Sequence, residues 1–131
     1  MSTPIPESMR YLFEKRALAH LATLMPDGRP QVTPVWCDFD GRYVRINTAV
    51  GRQKDRNLAR DGRVALSISD PDSPDRYLEV RGRVTLRTYD GADAHIDSLS
   101  QKYLGTAYPY RQANEQRVLY HIDPEHFTFM D

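Results

Sequence analysis

The chain has 131 residues, 40% hydrophobic and 27% charged, with 18 Lys plus Arg set against 18 Asp plus Glu. That size and composition describe one domain, 1–131, and the even balance excludes the strongly basic surface of a general nucleic-acid or anionic-membrane binder. The single cysteine, Cys37, allows no intrachain disulfide, the opening "MSTPIPESMR" is polar, and no apolar run nears the ~20 residues that span a bilayer, so a cytoplasmic protein is predicted.

In chain order, residues 6–16 place Met9, Leu12 and Phe13 on one stripe behind Pro6, which predicts a first helix. Four Asp-Gly pairs punctuate the rest of the chain: Asp27-Gly28, Asp40-Gly41, Asp61-Gly62 and Asp90-Gly91. Between apolar runs such pairs favour tight hairpin turns, because both residues tolerate positive φ. The first two pairs delimit three antiparallel strands, 17–25, 30–39 and 42–48. Pro30 and Pro34 cannot donate to a ladder, so their strand is expected at an edge or a bulge. A short helix is predicted over 52–60, then strands 63–69 and 77–87. "GADAHIDSLSQKYL" spaces Ala92, Ile96, Leu99 and Tyr103 as an amphipathic helix. Two last strands, 117–123 and 126–130, are separated at Asp123-Pro124. Strands with few helices and no βαβ alternation mean a mainly β (α+β) fold, a mostly antiparallel barrel with peripheral helices.

The stretch "NTAVGRQKDRNLARDGRVAL" concentrates positive charge in a neutral chain. From Arg42 to Arg63 lie Arg42, Arg45, Arg52, Lys54, Arg56, Arg60 and Arg63, against only Asp55 and Asp61. A strand end, a glycine and a helix start come in succession here, and a helix N-terminus offers unpaired amides and a positive dipole end to a phosphate. Asn47, Thr48, Arg52, Gln53 and Lys54 add donors around that point. A solvated surface helix accounts for the same composition equally well.

In "RPQVTPVWCDF", strand alternation turns Gln31, Thr33, Val35 and Cys37 one way and Val32, Pro34 and Trp36 the other. Gln31 and Thr33 could bond a flat polar heterocycle, although a half-buried strand with a wet polar side is the commoner arrangement. His20, His95, His121 and His126 form no cluster with metal-ligand spacing, so no metal is expected, and Cys37 reads as a small buried hydrophobe. There is no GxSxG elbow, Walker loop or GxGxxG fingerprint. No catalytic triad or acid–base pair stands out, so an enzyme of this sequence would rely on a bound cofactor.

The run from "LATLMPDGRPQVTPVW" through "GRQKDRNLARDGRVAL" to "YLEVRGRV" resembles the pyridoxamine 5′-phosphate oxidase-like split β-barrel superfamily, and within it the branch of coenzyme F420-dependent reductases. The resemblance extends from about Leu12 to the end. It implies a six- to seven-stranded antiparallel split β-barrel of the FMN-binding type, working as a homodimer with two cofactor sites at the interface. By position it implies phosphate ligands among Arg52, Gln53, Lys54, Arg56 and Asn57, with Asn47 and Thr48 beside them. Gln31, Val32, Thr33, Pro34, Val35 and Trp36 would border the ring, and Arg76, Tyr77 and Arg111 would form a wall from the partner chain. The implied activity is hydride transfer from reduced F420 to a small organic acceptor such as an enone, quinone or tetrapyrrole. The additional cations Arg42, Arg45 and Arg60 would suit the acidic tail of F420. An FMN-binding oxidoreductase of the same fold and a non-catalytic flavin, deazaflavin or haem-binding protein are the alternatives. Vitamin B6 oxidation is not expected, because the basic C-terminal substrate motif of the oxidases proper is missing from "HFTFMD".

Overall fold

Gly28 and Gly41 adopt φ of 87° and 99°, and at each the chain reverses into a hairpin, in a computed structural model that describes residues 2–131. The first hairpin joins β1 (Ala19–Leu24) to β2 (Pro30–Val35), and the second joins β3 (Cys37–Phe39) to β4 (Val44–Ala49). After α1 (Gln53–Arg60) come β5 (Arg63–Asp70), β6 (Ser73–Thr88), α2 (Ala92–Leu104) and β7 (Arg117–Met130). All seven strands pair antiparallel in the order β2-β1-β5-β6-β7-β4-β3.

That order dictates the shape. β2 and β3 are consecutive, with only Trp36 between them, yet they lie at opposite margins of the sheet. The sheet must therefore curl until its margins meet, which makes it a split barrel of seven strands. The strand expected over 30–39 is thus two strands, and at Trp36 the chain leaves its pairing with β1 for one with β4. Pro30 and Pro34 do sit on a marginal strand, opposite Leu24 and His20.

Alternation fills the barrel. Val64, Leu66 and Ile68 of β5, Leu78 and Val80 of β6, and Val118, Tyr120 and Ile122 of β7 are buried. One end is plugged by Met9, Leu12 and Phe13 on a seven-residue 3-10 helix, Glu7–Phe13, which is shorter and tighter than the helix expected over 6–16. β7 runs unbroken through Pro124, contrary to the two strands expected. A register shift places Arg81 opposite His126 and Gly82 opposite Pro124, so Glu125 is the additional residue of a bulge. The close approach there needs Gly82, since a Cβ at that position would lie 2.1 Å from the Asp123 carbonyl oxygen.

A satellite cluster of Ile96, Leu99 and Tyr103 on α2 packs on Trp36 and Tyr108. The Trp36 and Tyr103 rings stack at 5.3 Å and 7°. The Tyr103 hydroxyl donates to the Ala17 carbonyl (2.7 Å) and accepts from the Cys37 amide (3.3 Å), pinning the strand switch. No helix among the described residues is long and apolar enough to cross a membrane.

Candidate functional site: a cationic pocket at the barrel seam

The end of β4 turns at Gly51 into α1, and the buried carboxylate of Asp55 anchors this turn. It accepts from the Gly51 amide (3.0 Å), from the Tyr120 hydroxyl (2.5 Å) and from Arg87 (3.1 and 3.2 Å). Burial pushes the Asp55 carboxyl up, but the bonds from Arg87, Tyr120 and Gly51 outweigh it and hold it below its ordinary range. The first internal bond of α1 runs from the Arg56 amide to the Arg52 carbonyl (3.0 Å), so the amides ahead of it have no intrahelical acceptor.

Most of the local cations are spent on structure. Arg45 forks onto Asp38 (2.9 and 2.8 Å), and Arg63 pairs with Asp61. Arg56 bonds the Gly51 carbonyl and Gln53, Arg60 bonds the Leu24 carbonyl and Asn57, and Arg42 lies against the Tyr43 ring. Arg52 and Lys54 are left, and neither has an acidic partner among the described residues. Both line the same recess, of about 210 Å³.

That recess opens where the sheet margins meet. Its apolar wall is Leu18, Pro34, Val35, Trp36 and Ile96, and its polar wall is Asn47, Thr48, Arg52, Lys54 and Arg117, with Tyr108 at one side. Burial holds the half-buried Lys54 amine below its ordinary value, and the neighbouring charges of Arg52 and Arg117 add to this. The Thr48 hydroxyl oxygen is buried without a hydrogen-bond partner. Leaving such a group unmatched costs about 1–3 kcal/mol. Uncompensated positive charge and an orphaned hydroxyl in one recess are what a bound oxyanion would satisfy.

Of the residues singled out from the sequence, Pro34, Val35, Trp36, Asn47, Thr48, Arg52 and Lys54 converge here. Gln31 instead borders a shallow surface with Met25 and Asp27, Val32 is 58% exposed, and Thr33 is half-buried and does not line the recess. Gln53, Arg56 and Asn57 bond to one another and to the barrel, and the fully buried Asn57 donates to Thr23 (3.0 Å) and Met25. Arg76 lies over the Tyr11 ring, and Tyr77 sits between Ser69 and Met130; neither lines the recess. Arg111 bridges Asp93 and Asp97 of α2, and Asp97 also accepts the Tyr108 amide, so this set orients the loop that carries Tyr108.

Leu18, Ile96, Tyr108 and Arg117 were not foreseen. They come from four separate segments, and the only hint in the sequence was the aromatic run "YPY" after α2. A larger recess of about 420 Å³ between β1, β5, β6 and β7 is less suited to an anion. Two of its three arginines, Arg63 and Arg81, are paired with Asp61 and Glu79, and its buried Thr23 hydroxyl accepts from Asn57.

Comparison with known proteins bears on the fold and the family. A profile of the family described as pyridoxamine 5′-phosphate oxidase matches residues 5–131. A solved structure described as an F420 reductase is 38% identical, with a TM-score of 0.85 over 95% of this chain and 98% of that one. A conserved hypothetical protein from Mycobacterium tuberculosis shares the fold at 24% identity, with a TM-score of 0.78 over 99% of this chain and 86% of that one. HupZ of Group A Streptococcus shares it at 17% identity and a TM-score of 0.67, over 96% and 94% of the two chains.

Proposed function

The chain belongs to the pyridoxamine 5′-phosphate oxidase-like split β-barrel family, in the branch that includes the F420 reductase, and from that premise we propose that it is an F420-dependent reductase of small organic acceptors. At the coarser level it is a flavin- or deazaflavin-type oxidoreductase. The observation that carries the finer reading is the recess holding Arg52, Lys54 and the unpartnered Thr48 hydroxyl, a fit for the phosphate of such a cofactor.

Arg52 would grip that phosphate with its planar fork and Lys54 as a point charge, with Thr48 donating its hydroxyl hydrogen. Trp36, Pro34 and Val35 supply the flat apolar wall beside it. A reduced F420 held here would supply the hydride for reduction of an enone, quinone or tetrapyrrole-like acceptor, with the accompanying proton taken from water. The chain's own contribution is to orient both molecules and keep water from the reacting face.

At about 210 Å³ the recess falls below the roughly 300–1,000 Å³ that enclose a whole ligand of this size. On this reading one chain would enclose the phosphate end alone. We infer that a second copy completes the wall around the ring, so the protein works as a homodimer, with Arg76, Tyr77 and Arg111 as candidates for the partner's contribution.

The test is titration of purified, cofactor-free protein with F420 and with FMN, side by side, by fluorescence quenching. Tighter binding of F420 is expected, with subsequent turnover of an enone or quinone by reduced F420. A preference for FMN would make this a flavin enzyme on the same barrel. Binding of neither would refute the reading.

A further inference from the structure

Resting on the anion-binding role of this recess, we propose that Arg117 is a third oxyanion ligand and that His95 is a positioning residue which aims it. Arg117 is the first residue of β7 and is 4% exposed. Its Nε donates to Asn47 Oδ1 (2.9 Å), its Nη1 donates to Glu115 Oε1 (2.5 Å), and its guanidinium lies 5.1 Å from the Tyr108 ring centre. Nη2 is the one nitrogen without a protein acceptor among the described residues, and the side chain lines the recess on the same polar wall as Arg52 and Lys54.

The orientation is over-determined by hydrogen-bond logic. A guanidinium only donates, so the Asn47 amide oxygen must face Arg117. The Asn47 nitrogen is then directed at the Ala92 carbonyl (2.9 Å) and at His95 Nδ1 (3.1 Å). An NH₂ group facing Nδ1 requires Nδ1 to accept, so the imidazole proton sits on Nε2, which lies 3.2 Å from Asp38 Oδ1. Asp38 is fixed in turn by the Arg45 fork. Burial pushes the Asp38 carboxyl up, but His95 and Arg45 more than reverse this and bring it down to about 2, so the acceptor is ionised at any working pH.

The chain Asp38–His95–Asn47–Arg117 therefore crosses β3, α2, β4 and β7 with one consistent assignment of donors. Through it α2 helps to set the angle of a guanidinium at the seam. Arg52 and Lys54 come from the start of α1 and Arg117 from β7, so two separate elements bring cations to one recess, which suits an oxyanion with several acceptor oxygens. The ligand class is a phosphate ester or a small polyphosphate. No reacting atom touches His95; its effect passes through Asn47.

The experiment uses the full chain and three probes: F420, FMN and inorganic pyrophosphate. Arg117→Gln should weaken pyrophosphate and the preferred cofactor by about tenfold to a hundredfold, the loss of one charge-assisted hydrogen bond. His95→Phe removes the Nδ1 acceptor and should reproduce much of that loss, whereas His95→Asn retains an acceptor near the same place and should restore most of it. In the Arg117→Gln background His95→Phe should cost nothing further in pyrophosphate affinity, a non-additivity that a merely structural role would not produce. Should the buried variants fail to fold, nitrogen-15 NMR of the unmodified protein decides: His95 must carry its proton on Nε2, and the Arg117 Nε–H signal must move as pyrophosphate is added. Cofactor binding unchanged in Arg117→Gln would overturn the proposal and leave the proposed function standing. Pyrophosphate binding lost in Arg117→Gln, with neither cofactor bound by the native chain, would uphold Arg117 and overturn the proposed function. A protonated Nδ1, or additive losses in the double variant, would overturn the role of His95.

Discussion

Replacing Asp55 by Asn tests the link between the barrel and the pocket. Asp55 is 3% exposed and its carboxylate accepts from Arg87, Tyr120 and the Gly51 amide, which together hold the first turn of α1 against β6 and β7. Asn keeps the shape, removes the charge and turns an NH₂ group toward a donor. Breaking one side of a buried ion pair costs about 3–5 kcal/mol, but the Arg87 side chain is 30% exposed and water recovers part of this, so about 2–3 kcal/mol is expected. For a chain of this length that is a fall in melting temperature of about 8–12 °C. The native carboxyl is held below its unfolded value, so its contribution is complete above pH ~4 and lost as pH falls through the folded value. The gap between native and variant melting temperatures, monitored by circular dichroism, should therefore be constant near neutrality and narrow only below pH ~4. A fall of under about 3 °C, or a gap that closes as pH is raised, would refute the reasoning.

Lys54→Ala should weaken cofactor binding by about 1.5–3 kcal/mol, as read from the titration midpoint; an unchanged dissociation constant would remove Lys54 from the site. Gly82→Ala forces a Cβ against the Asp123 carbonyl oxygen and should cost at least about 3 kcal/mol or abolish folding. Gly62→Ala meets the Val84 Cβ at an ordinary 3.5 Å and should change the melting temperature by no more than about 1 kcal/mol would. The reverse ranking of the two would contradict the bulge at Glu125. Burial pushes the fully enclosed Cys37 thiol up to about 11, so a disulfide reagent should label it only after denaturation, and rapid labelling of the folded protein would show that the β2–β3 corner opens.

Local signals carried the fold a long way. The Asp-Gly pairs at Asp27 and Asp40 mark true hairpins, whereas Asp61-Gly62 only links α1 to β5 and Asp90-Gly91 leads into α2. The helices predicted over 52–60 and from Ala92 already set the last two pairs apart, since a hairpin needs a strand on each side of its turn. The division at Trp36 was hidden because β2 and β3 read as one alternating run, and their separate partners are chosen by the closure of the sheet. Pro124 reads as a strand breaker because the sequence does not show that Gly82 lies opposite to receive it. At the site, the surplus of charge from Arg42 to Arg63 was visible, but its division into spent and free cations depends on distant partners such as Asp38 and the Leu24 carbonyl. Arg117 and Tyr108 carry no motif, and only the curl of the sheet brings them to Lys54.

The place of β7 in the sheet has a consequence for synthesis. In the sheet, β3 and β4 are joined to the other strands only through β7, by the pairing of residues 44–49 with 117–122. As the polypeptide leaves the ribosome, β1, β2, β5 and β6 can assemble, while the β3–β4 hairpin has no neighbouring strand to pair with until the last, fourteen-residue strand emerges. Asn47 and Arg117 sit on those two strands, opposite Leu119 and Ala49. The anion pocket is thus assembled last, and a nascent chain cannot capture a phosphate there before its barrel is whole.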